Sequence, residues 1–166
     1  EKVAAGSDYL GTVYNLGEDY TFDIGEGLVG YWRLDGNAKD SSGNGNDGVI
    51  NGGANCDVLG RNGIGKACEF DGINDYVKVS DESNSLSIED DVTLVAWIYT
   101  LSHCSVGQCG IIVHRDHSAH MDFSVSDKND RLIFNYWTED LPLVEGWFSG
   151  LTDKEIEEEN WLHIAA

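Results

Sequence analysis

Short apolar runs separated by glycine, asparagine, aspartate and serine recur along most of the chain. From Leu28 the sequence reads LVGYWRL, GVI near position 50, KACEF (66–70), DYVKVS (75–80), VTLVAWIY (92–99), GIIVH (110–114), MDFSV (121–125) and RLIFNYW (131–137). Each run is rich in β-branched or aromatic residues and bounded by turn formers, which predicts strands. In VTLVAWIY, Val92, Leu94, Ala96 and Ile98 share one face while Thr93, Val95, Trp97 and Tyr99 share the other. Apolar groups occupy both faces, so this strand is expected to be covered on both sides. One segment breaks the pattern. TDKEIEEEN (152–160) predicts a short acidic helix, with Thr152 placed to cap the amide of Glu155 and Glu155 to reach back. Residues 1–26 read as an extension or tether, with strand character in YLGTVY (9–14) and DYTFDI (19–24). No internal repeat and no low-complexity linker interrupts the rest.

Composition supports this all-β reading. Twenty glycines, a single proline and 10% aromatic residues suit short strands and tight turns better than a helical bundle. A length of 166 residues suits one domain with a substantial core. Thirty acidic against ten basic residues leave a formal charge of −20. Such a surface repels nucleic acid and anionic membranes and suits a solvated acidic face or Ca²⁺. No apolar run is long enough to span a bilayer. The opening at Glu1 without a methionine reads as a removed leader or an excised piece.

The four cysteines bracket two turn-rich segments. Cys56 and Cys68 enclose DVLGRNGIGKA, and Cys104 and Cys109 enclose SVGQ. Neither gap has the spacing of a zinc site, and although four cysteines allow three pairings, two local disulfides are expected over free thiols or metal. Disulfides point to an extracellular or cell-surface setting.

Further along, the order of signals becomes specific: GLVGYWRLDGNAKDSSGNGNDG, then GIGKACEFDGINDYVKVS, then SLSIEDDVTLVAWIY. This succession resembles the laminin-G-like branch of the concanavalin-A-like jelly rolls, and the closing NWLHIAA (160–166) is similar to a later strand of that family. The resemblance is close over residues 27–100 and loose between Thr100 and Asn160. It implies an antiparallel β-sandwich, the concanavalin-A-like jelly roll, over 27–166, with LPLVEGWFSGLTDKEIEEEN as a helix-bearing insertion and further strands expected after Ala166. Members are mostly extracellular modules that bind glycans or proteins.

DSSGNGNDG (40–48) has neither the ending of a phosphate-binding loop nor the twelfth-position glutamate of a helix-flanked calcium loop, where Asn51 stands instead. It reads as a turn in which glycines supply positive φ and Asp40, Asn44 and Asn46 bond their own backbone. The alternative is a structural Ca²⁺ site of the family type, joining Asp40 or Asn46 to Asp35, Asp71 or Asp75 from other segments. FDGINDYV carries the same two readings for Asp71 and Asp75.

HRDHSAH spaces His114, His117 and His120 by three. Strand-like flanks predict a hairpin with His117 near its turn and His114 across from His120, paired or solvated, with adventitious Zn²⁺ or Ni²⁺ held together with Asp116 or Asp122 as the minor alternative. No carboxylate pattern of a sheet glycosidase and no nucleophile elbow is present, so a non-enzyme is expected. Tyr136, Trp137, Trp147 and Phe148 supply flat apolar groups for a glycan or protein ligand, or else for the core. Two other functions fit: a structural subunit of an extracellular filament or surface layer, built by strand exchange between neighbouring copies, and an appendage of a secreted hydrolase.

Overall fold

The computed structural model describes residues 2–5, 27–82, 84–88, 92–102, 109–114, 121–128, 131–138 and 146–165. The expected strands at 9–14 and 19–24, together with Cys104, Asp116, His117 and His120, lie outside the described residues. Strands are the main regular structure among the described residues, with a single 3-10 segment, and the chain divides into two compact units, Glu1–Leu86 and Ser87–Ala166. No helix among the described residues is long and apolar enough to cross a membrane.

The first unit consists of paired short strands. β1 (Lys2–Ala5) runs parallel to β2 (Leu28–Gly30). β3 (Gly48–Asn51) is antiparallel to β6 (Tyr76–Val79), with Gly48 opposite Val79 and Asn51 opposite Tyr76. Between them, β4 (Asn55–Leu59) and β5 (Lys66–Glu69) form a hairpin stapled by the Cys56–Cys68 disulfide. Its turn carries a 3-10 segment, Arg61–Gly63, and closes through a Gly60 N–H donated to the Gly65 carbonyl at 3.1 Å. Gly48 is required by close approach, since a Cβ there would lie 2.6 Å from Val77 and 3.0 Å from the Ala38 carbonyl, beside the buried Ala38.

In the second unit β7 (Val92–Tyr99) pairs antiparallel with β12 (Trp161–Ala165). Tyr99 stands opposite Trp161 with ring centroids 5.5 Å apart, and Trp97 opposite His163 at 4.8 Å, so the aromatic residues stabilise the ladder as cross-strand pairs. β8 (Cys109–His114), β9 (Met121–Lys128), β10 (Arg131–Thr138) and β11 (Gly146–Glu155) form an antiparallel sheet in the order β11-β10-β9-β8. Among the described residues of the second unit, Ile88, Leu94, Ile133, Ile156 and Ile164 are the buried aliphatic ones. Cys109 is disulfide-bonded as well.

The acidic helix expected over 152–160 is absent. Residues 152–155 finish β11, and a turn follows at 158–160 in which Glu159 takes φ 55° and donates its N–H to the Thr100 carbonyl at 2.8 Å. A single short helix with four glutamates gains little from its cap, whereas as a strand these residues complete a ladder with β10 that ends at Arg131 opposite Glu155. Tertiary pairing overrides the local signal.

Candidate functional site

The loop at 40–48 is organised by one carboxylate. Asp40 Oδ1 accepts the Tyr31 N–H at 2.9 Å and the Ser42 N–H at 2.8 Å, and Oδ2 accepts the Ser42 hydroxyl at 2.7 Å and the Asn46 N–H at 3.0 Å. Gly43 and Gly45 turn the chain through φ 93° and 79°, the left-handed region that glycine enters without a Cβ penalty. Asn44 donates its amide to the carbonyls of Leu28 and Val29, and the Asp40 N–H is in turn donated to Asp47 Oδ1. Burial raises the carboxyl pKa of Asp40. The bonds from Ser42, Tyr31 and Asn46 outweigh that effect and hold it below the usual value.

Asn46 is buried, with 2% of its surface exposed. Its amide donates to the Val29 carbonyl at 2.8 Å, its side-chain oxygen accepts the Ser85 hydroxyl at 2.8 Å, and its backbone carbonyl accepts the Trp32 indole N–H at 2.7 Å. Three segments of the first unit, LVGYW (28–32), the loop at 40–48 and the stretch at Ser85, are thus tied together at one residue.

Of the five residues expected for calcium, the structure brings Asp40 together with Asn46, and Asp71 with Asp75. Asp71 Oδ1 accepts the N–H of Ile73 and of Asn74, and Asp75 Oδ2 accepts the Asp71 N–H at 3.0 Å. The Ile73 bond leads in holding the Asp71 carboxyl below its usual value, and desolvation opposes it. Asp35 stands apart, accepting the Lys66 N–H at 2.8 Å beside Arg33. Ca²⁺ takes 6–8 oxygens. Here N–H and O–H donors already fill the positions around Asp40, and no group of three or more His, Cys, Asp or Glu side chains gathers among the described residues. In this arrangement the carboxylates of Asp40 and Asp71 act as the acceptors of hydrogen-bonded turns.

Two apolar features accompany these loops. In the first unit Ile73, 86% exposed, sits in the Asp71–Asp75 turn, and Phe70, Tyr76 and Val49 are exposed near it in sequence or register. Sequence reasoning missed them; the signal was an isoleucine inside a turn of otherwise polar residues. In the second unit the four aromatic residues proposed for ligand binding pair directly: Tyr136 with Phe148, and Trp137 with Trp147. Successive strand positions belong to opposite faces. The four therefore form two pairs on two faces and not one patch.

The hairpin expected around HRDHSAH is present as β8 and β9, but the residue opposite His114 is Phe123 and not His120, the register being set by the ladder and not by the three-residue spacing. No family model matches the chain, and neither a curated protein nor a solved structure is similar to it.

Proposed function

We propose that the chain is an extracellular, non-catalytic binding module, a β-sandwich of the laminin-G-like type that recognises glycan or protein ligands. The observation that carries this reading is the register of β10 and β11, which sets Tyr136 opposite Phe148 and Trp137 opposite Trp147 in a regular antiparallel sheet. Paired aromatic residues on a rigid ladder offer large contact area at little entropic cost. Two further features support it. The Cys56–Cys68 disulfide suits an oxidising compartment, and the loops of the first unit are fixed by their own carboxylates, as a display scaffold requires.

The test is an array of neutral and anionic glycans presented to the folded chain, with the bound glycans assayed afterwards for new reducing ends. Saturable binding without cleavage is the expected result. Cleavage would overturn the non-catalytic reading, and silence on every glycan would confine the module to protein ligands.

The pairing of β1 with β2 favours a second reading, a structural subunit of a filament, because an N-terminal segment that adds a strand within its own chain can add it to a neighbour. Loss of assembly on deletion of residues 1–24, followed by light scattering, is the outcome that supports it; unchanged monomers before and after deletion would remove it.

A further inference from the structure

The chain carries three Asn-Gly pairs, Asn44–Gly45, Asn51–Gly52 and Asn62–Gly63, and the fold holds them differently. In such a pair the missing Cβ of the glycine leaves its backbone nitrogen open to approach the asparagine Cγ. Asn44 is anchored: its side-chain amide donates to the carbonyls of Leu28 at 2.8 Å and Val29 at 3.3 Å and to the Ser42 hydroxyl oxygen at 3.1 Å. Asn51 is half-buried and donates its amide to the Val49 carbonyl at 2.8 Å, and the backbone beside it is packed, since a Cβ on Gly52 would clash with the Asn74 carbonyl. Asn62 lies in the turn of the β4–β5 hairpin, exposed like Leu59 and Ile64 on either side of it. Its amide makes no hydrogen bond among the described residues, and nothing lies within 4 Å of a Cβ placed on Gly63.

We propose that Asn62 is a site of spontaneous deamidation, converted to aspartate and isoaspartate in the folded chain well ahead of Asn44 and Asn51. The Gly63 nitrogen, having given its proton to solvent base, attacks the Asn62 Cγ. A C–N bond forms there as the bond to the side-chain nitrogen breaks, and ammonia leaves with a proton from water. Water then opens the resulting succinimide at one of its two carbonyls. Aspartate results when the Gly63 nitrogen stays on the main-chain carbonyl, and isoaspartate when it stays on the side-chain carbonyl. The net change is water taken up and ammonia released. One bond opposes the attack, the Gly63 N–H donated to the Gly60 carbonyl at 3.0 Å. Opening a single bond of a short 3-10 turn is a local fluctuation, and each hydrogen bond that must open lowers the reactive population roughly fivefold. Asn44 must instead release three bonds, in a loop organised by the Asp40 carboxylate, whose charge opposes the anionic nitrogen. Arg61, next in the chain to Asn62, favours that anion. The Cys56–Cys68 bridge keeps β4 and β5 joined, so the change accumulates on a folded chain. It adds a negative charge beside Arg61 and, in the isoaspartate form, a methylene to the main chain of the turn.

This inference is independent of the proposed function. Its test is incubation of the full chain in mildly alkaline buffer at physiological temperature, beside a sample unfolded in denaturant with its disulfides reduced. Aliquots are reduced and digested at mildly acidic pH with lysyl endopeptidase, which cuts after Lys39 and Lys66 and so releases all three pairs in one peptide, residues 40–66. Tandem mass spectrometry then follows each asparagine separately, and labelling by an isoaspartate carboxyl methyltransferase identifies the isoaspartate. In the folded chain Asn62 should convert roughly tenfold or more faster than Asn44 and Asn51, and in the unfolded chain the three should convert at comparable rates. Asn44 or Asn51 keeping pace with Asn62 in the folded chain overturns the proposal. So does an Asn62 that stays unchanged in the folded chain while it converts in the unfolded one, which would mean that the Gly60 bond locks the turn. The same ranking in both samples would assign the preference to local sequence and overturn its derivation from the fold.

Discussion

In the first unit four donors from Tyr31, Ser42 and Asn46 converge on the single carboxylate of Asp40, whereas in the second the eight residues of β10 are matched one by one by β9, from Arg131 opposite Lys128 to Thr138 opposite Met121. A loop network of the first kind depends on one side chain, and its bonds link segments of irregular shape. The ladder depends on backbone that any sequence of suitable alternation supplies, so no single polar group is indispensable to it. The two regions should therefore fail differently.

The largest effect is expected in the ladder. Ile133→Ala removes a buried side chain from β10, which should cost about 3 kcal/mol in chemical denaturation and lower amide exchange protection throughout β8–β11. Asp40→Ala leaves three backbone N–H groups without their acceptor, for about 2–3 kcal/mol, with protection lost only around residues 29–48. If both variants loosen the whole chain equally, the two units unfold as one and the contrast drawn between them disappears.

The Asp40 effect also carries a pH signature. Its folded-state pKa lies below the usual carboxylate value, so its contribution is complete above roughly pH 4 and is lost as the pH falls through the lowered folded value. The Tm gap between wild type and Asp40→Asn should thus be full near neutrality and close in acid; a gap that opens on acidification would show that the carboxylate does not organise the loop.

Removing the Cys56–Cys68 bridge by a paired change to serine should cost about 3 kcal/mol for a loop of this length, seen as a lower denaturation midpoint, without changing exchange in the four-stranded sheet. The smallest effect is the most discriminating. Glu159→Gly relieves a left-handed residue and should stabilise the chain by roughly 0.5–1 kcal/mol. The same change inside a helix would destabilise by a similar amount, so the sign alone separates the turn from the helix that TDKEIEEEN suggests.

That segment shows where sequence reading loses its grip. VTLVAWIY and RLIFNYW carry enough alternation and β-branched or aromatic character to be read locally, and both appear as strands at nearly those limits. GWFSGLTDKE has two glycines and a charged end, and it extends only because β10 is there to pair with it. NCDVL, β4, was hidden in the same way among cysteine, glycine and asparagine. Around Asp40 the turn formers were legible, as were the bonds within the loop. The burial of Asn46 was not, because its partners Val29 and Ser85 lie 17 and 39 residues away. The separation of Tyr136 from Trp137 was available from strand periodicity alone, since adjacent positions cannot share a face.

The Asp40 network also bears on the order in which the chain acquires its shape. Its bonds to Ser42, Asn46 and Tyr31 span only 2, 6 and 9 residues, and loops of that size close in about 10–100 ns. Strand partners such as Trp161 and Tyr99 must meet across a far longer stretch of chain, a search that loop-closure entropy slows. The loop is therefore expected to act as an early folding nucleus of its unit, so that Asp40→Asn slows refolding more than it speeds unfolding. A stopped-flow chevron in which only the unfolding limb moves would place this loop among the last parts to form.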